Sequence, residues 1–73
     1  SYYLKGKIAK YQGSFIQWEM YMNLAIDLLL KFGSYSQKND RYLEMANMYH
    51  VIGETREALK YLTMAAESEK ELY

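Results

Sequence analysis

The stretch 42–65, YLEMANMYHVIGETREALKYLTMA, decides how this chain is read. Before Gly53, Tyr42, Met45, Ala46, Tyr49 and Ile52 recur every three or four positions, the spacing of one face of a helix. After it, Ala58, Leu62, Ala65 and Ala66 resume the same period, with Leu59 beside them. A glycine where one periodic run stops and the next starts marks a left-handed position just past a helix end, where a Cβ would cost energy. The stretch therefore predicts a helix, an elbow at Gly53 and a second helix.

Working outward, the same plan is written a second time at an offset of 40 residues. Tyr2 falls on Tyr42, Gly6 on Ala46, Gly13 on Gly53, Met22 on Leu62 and Ala25 on Ala65. With Gly33 as a third break, the pattern predicts an all-α chain of four helices over 2–12, 14–32, 39–52 and 55–72. Ser14 and Gln17 form a capping box at the start of the second helix. Along that helix Glu19, Asn23, Asp27 and Lys31 make one narrow polar stripe in otherwise apolar sequence, so it is expected to lie between other helices. The segment Ser34 to Asp40 (SYSQKND) reads as a loop, with Ser36, Asn39 or Asp40 available to cap the third helix. The chain then divides into a hairpin over 1–33, a connection over 34–38 and a hairpin over 39–73.

Composition narrows the functions open to such a fold. The 73 residues suffice for one small domain; 51% are hydrophobic, 25% are charged, and nine basic side chains balance nine acidic ones. Zero net charge offers no footprint for a phosphate backbone, so no nucleic-acid contact is expected. The absence of cysteine excludes disulfides, thiolate chemistry and Cys-ligated zinc, and fits a cytoplasmic setting. The longest apolar run, Leu28-Leu29-Leu30, is far below a membrane span. With Ser1 in place of an initiator Met and no signal-like leader, the chain reads as a segment of something longer. His50 is the only histidine, no glycine-rich phosphate loop is present, and Ser14 has a capping role; no catalytic residue, metal ligand or cofactor is expected.

The series Tyr42, Ala46, Tyr49, Gly53, Ala58, Leu62, Ala65 resembles one tetratricopeptide repeat (TPR), departing at the final proline position, where Lys70 stands. Tyr2, Gly6, Gly13, Phe15 and Ala25 resemble a second copy that departs at Trp18, where the family has a small residue, and at Ala9, where it has an aromatic. These two departures look like an exchange of bulk between facing helices. The 40-residue offset exceeds the family's usual ~34, and the surplus fits the SYSQKND connection. Long, Tyr- and Met-rich repeats of this kind are similar to the C-terminal repeats of the Rap, NprR and PlcR group of Gram-positive regulators, which implies binding of a signalling peptide in a quorum-sensing or transcription-regulating protein.

The resemblance implies a right-handed solenoid of two stacked hairpins whose first helices line a concave groove. Tyr3, Lys7, Lys10 and Tyr11 on the first helix, and Leu43, Glu44, Asn47, His50 and Val51 on the third, would then face a peptide or partner segment. Lys7 and Lys10 are suited to a carboxylate, and Asn47 to a peptide backbone. The alternative is a structural pair of repeats that mediates dimerisation or caps a longer solenoid. Two hairpins leave both ends of such a stack open, so homo-oligomerisation is expected, most simply as a symmetric dimer. The five methionines fit either a core or an adaptable surface.

Overall fold

A computed structural model describes residues 1–32 and 35–70. It is all-helical: α1 (Tyr2–Tyr11), α2 (Phe15–Phe32), α3 (Tyr35–Val51) and α4 (Thr55–Lys70). The predicted positions of Gly33, Ser34, Glu71 and Leu72 lie outside the described residues.

Both elbows are built alike. Gly13 has φ +80° and Gly53 φ +85°. At the first, the Gly13 amide donates to the Lys10 carbonyl and the Ser14 amide to the Ala9 carbonyl; at the second, Gly53 donates to His50 and Glu54 to Tyr49. These are the paired bonds of a Schellman motif, which satisfies carbonyls left open at a helix end. The residue after each glycine then supplies the first carbonyl of the next helix, Ser14 to the Trp18 amide and Glu54 to the Ala58 amide. Identical bonding 40 residues apart makes the two hairpins equivalent at their turns.

Within each hairpin, small residues let the helices approach. Gly6, Ala9 and Ala25 are buried in the first hairpin, and Ala46, Ala58 and Ala65 in the second. A Cβ built on Gly6 would stand 3.3 Å from the Met22 Sδ, which shows how closely α1 meets α2 there. The exchange of bulk is also present: Ala9 on α1 accompanies Trp18 on α2, while Tyr49 on α3 accompanies Ala58 on α4, and all four belong to one buried cluster. Met22 and Met45 are fully buried and Met48 and Met64 pack against the core, so four of the five methionines serve the interior; Met20 is half exposed.

The hairpins lie side by side through α2 and α3, and among the described residues α1 makes no backbone approach to α4. A closed four-helix bundle would have two similar short dimensions, whereas the chain here measures 37 × 27 × 13 Å. The end of α2 and the starts of α1 and α3 meet around Phe32, Tyr3 and Arg41. The start of α2 meets the end of α3 at Phe15 and Tyr49. Accordingly α1 and α3 run in the same sense and α2 runs against them.

Three expectations need correction. The connection placed over 34–38, and the loop read through Asp40, give way to helix from Tyr35 onward. Gln37, Lys38 and Arg41 are good helix formers, and Lys38 is buried beside Tyr42, Met64 and Ser68, so α3 gains packing by starting early. The surplus over a shorter repeat is thus spent on helix, and Ser36, Asn39 and Asp40 sit inside α3 rather than capping it. On α4 the buried line is Ala58, Tyr61, Ala65 and Ser68. Leu62 and Leu59, expected inward, are 48% and 63% exposed, since none of the described helices covers that side. Finally, α2 is covered on two sides only in part: Ile16 and Phe32 remain 80% and 83% exposed.

The elbows generate a contrast that chemical denaturation checks. Gly53→Ala meets no steric obstacle but forces a side chain into the left-handed region, and should cost about 1–2 kcal/mol. Gly6→Ala should be close to neutral, because about 1 kcal/mol of helix propensity offsets displacement of the Met22 thioether. Equal losses at the two positions would contradict this assignment of their roles.

Candidate functional site

The joint between the hairpins gathers three side-chain hydrogen bonds from Tyr3, Lys7 and Tyr49. Tyr3 and Lys7 project from one flank of α1 toward α3, where Glu44 Oε1 accepts from the Tyr3 hydroxyl at 2.9 Å and from Lys7 Nζ at 3.1 Å. Arg41, one turn before Glu44, lies over the Tyr3 ring with its guanidinium carbon 3.5 Å from the centroid. Lys7 sits 5.3 Å from the same ring. A ring flanked by two cations, with its hydroxyl on a carboxylate, is a stiff arrangement. Glu44 Oε2 is buried and has no hydrogen-bond partner.

Deeper in the joint, Tyr49 is held by both neighbours. Its ring meets Phe15 at 5.8 Å and Trp18 at 5.9 Å edge-on, and stacks on Tyr61 at 5.5 Å. Its hydroxyl donates to Glu19 Oε2. Glu19 therefore belongs to the joint, although the sequence places it on the wet stripe of α2. Burial, and then the Glu19 carboxylate, push the Tyr49 phenol well above its ordinary value of 10.0. Burial, with Glu57 and Glu19 nearby, raises Tyr61 as well. Hydrogen bonds to Glu44 and Tyr3 raise Lys7 above 10.5, against a smaller opposing effect of burial.

Of the nine groove residues expected from the sequence, eight fall into three sets, and Val51 stays 70% exposed at the end of α3. Tyr3 and Lys7 come together with Glu44 on the α1–α3 joint. Leu43, Asn47 and His50 come together on the far flank of α3, where with Ala46, Ala58 and Leu62 they line a cleft of about 340 Å³. Lys10 and Tyr11 stay exposed at the end of α1, Tyr11 at 94%. Lys7, expected to hold a ligand carboxylate, is paired with Glu44 of the same chain. Arg41 was missed because its role depends on α1: the predicted helix 39–52 already sets it i, i+3 from Glu44, but only the position of the Tyr3 ring brings it into the joint.

A second cleft, of about 500 Å³, opens between the start of α1, the end of α2 and the first turns of α3. Tyr2, Tyr3, Leu28, Leu29 and Phe32 give it apolar walls, with Gln37 and Arg41 at one side. Among the described residues, no three of His, Cys, Asp and Glu stand together as a metal could require. None of the described helices is long and apolar enough to cross a membrane. The site offers hydrogen bonding and ring stacking beside apolar clefts.

Alkaline titration checks the Tyr49 assignment. Folding favours the neutral phenol and the charged Lys7, so the stability both confer is complete below about pH 10 and falls as pH rises beyond it. Tyr49→Phe should flatten that fall. An unchanged slope would contradict the placement of Tyr49.

Comparison with known proteins returns no match: no family model, no curated protein and no solved structure is significantly similar to this chain.

Proposed function

We propose that this chain is a TPR-like interaction module of a cytoplasmic regulator: a short right-handed solenoid that binds an extended peptide or partner segment along the surface formed by α1 and α3, rather than a catalyst. The observation that carries the reading is the pair of equivalent elbows at Gly13 and Gly53, combined with parallel α1 and α3. Two parallel first helices present their exposed residues in repeated register, which suits a ligand that is itself extended and periodic.

Support for a peptide comes from what that surface still offers. Lys10 and Asn47 are exposed. Asn47 can donate to a carbonyl and accept from an amide, so it suits main-chain recognition. The rigid Tyr3, Arg41 and Glu44 group would act as a wall, since its members are already engaged with one another. The apolar cleft beside Tyr3 and Phe32 would take a hydrophobic side chain at the ligand's end.

Selection of binders from a random peptide library, followed by calorimetry on the selected peptide, tests the proposal. Lys10→Ala with Asn47→Ala should weaken binding at least tenfold while leaving helicity unchanged. Lys7→Ala should act mainly on stability, through loss of its Glu44 partner. Failure to select any binder, or equal affinity for the double variant, would count against the peptide-binding reading.

A further inference from the structure

The equivalence of the hairpins permits a comparison between the joint inside the chain and the two faces left open at its ends. Shifting by 40 residues, the face of the first hairpin that receives the second maps onto the outer flank of α3 and α4. The face of the second hairpin that docks maps onto the outer flank of α1 and α2. The open faces carry matching clefts: about 340 Å³ beside Leu43, Ala58 and Leu62, and about 230 Å³ beside Ile8, Ala9 and Tyr21.

The three hydrogen-bonded contacts of the internal joint have counterpart pairs at these ends. Tyr3 on Glu44 becomes Leu43 against Leu4; Glu19 on Tyr49 becomes Leu59 against Ala9. Lys7 on Glu44 becomes Asn47 against Leu4, which removes both charges. The three polar pairs inside are thus replaced by apolar or uncharged residues on the open faces, while Lys5, the counterpart of the buried Met45, adds one cation to the cleft beside Ile8. Burial follows the same logic. Met22 is 0% exposed within the joint, whereas its counterpart Leu62 is 48% exposed; Met48 packs against the core, whereas its counterpart Ile8 is 58% exposed.

We propose that a second copy of this chain docks head to tail, setting Leu4 and Ile8 of one molecule against Leu43, Leu59 and Leu62 of another, in continuation of the joint between the hairpins. This contact differs from the symmetric dimer expected from the sequence. It joins unlike faces, so it leaves one free face at each end and permits further addition. Asn47, offered above to a peptide, lies within this contact, so the two forms of binding compete at that residue, although the association does not rest on that function.

Sedimentation velocity with two single variants tests it. Leu62→Glu disables one face and Ile8→Glu the other; circular dichroism verifies that each stays folded, and Leu59→Lys with Leu4→Lys replaces the pair if either does not. Wild-type chain should show a mass that climbs past the dimer as concentration rises toward about 1 mM. Each variant alone should sediment as a monomer, and an equimolar mixture should recover a dimer, because one intact face of each kind remains. A monomeric wild type at the highest concentration would overturn the proposal. So would a variant that still dimerises alone, as a symmetric contact through the untouched face requires, or a mixture that stays monomeric.

Discussion

The structure depends on the seating of Tyr49. One ring on α3 touches Phe15 and Trp18 of α2 and Tyr61 of α4, and its hydroxyl reaches Glu19. Aromatic pairs of this geometry add about 0.5–1.5 kcal/mol each beyond the area they bury, and here three converge on a single side chain. The exchange of bulk between hairpins makes that possible. With Ala9 at the position equivalent to Tyr49, and Ala58 at that of Trp18, each hairpin has one large ring and one small residue. The two large rings then meet across the joint instead of competing within a hairpin. Were both hairpins to carry the same pair, either a void or a clash would follow at this point.

Features with a local cause were legible in the sequence. Gly13 and Gly53 could be placed because a left-handed turn needs no partner from elsewhere in the chain. The buried Gly6, Ala46 and Ala65 followed from spacing alone. Features with a tertiary cause were not legible. SYSQKND has a loop's composition, yet its last residues are helical, because α4 offers Lys38 and Tyr42 a surface to pack on. Glu19 falls on the polar stripe of α2 by arithmetic. Its use in the joint depends on where α3 lies, which no periodicity within α2 specifies.

The same distinction separates the parts of the candidate site. Tyr3, Lys7 and Glu44 share a surface as the repeat offset implies, but only the coordinates reveal that they satisfy one another. Lys10 and Asn47, by contrast, stay exposed. Leu59 and Leu62 are equally instructive. Assigned to the core by their spacing, they are exposed, because none of the described helices lies beside them.

The account stands on two equivalent hairpins joined through Tyr49, with α1 held away from α4. Nuclear Overhauser spectroscopy on the labelled chain measures this directly. Cross-peaks from the Tyr49 ring to Trp18, Phe15 and Tyr61, and none between α1 and α4 within one molecule, are the predicted result. Intramolecular cross-peaks from Ile8 or Ala9 to α4, the signature of a bundle closed around a single axis, would contradict it.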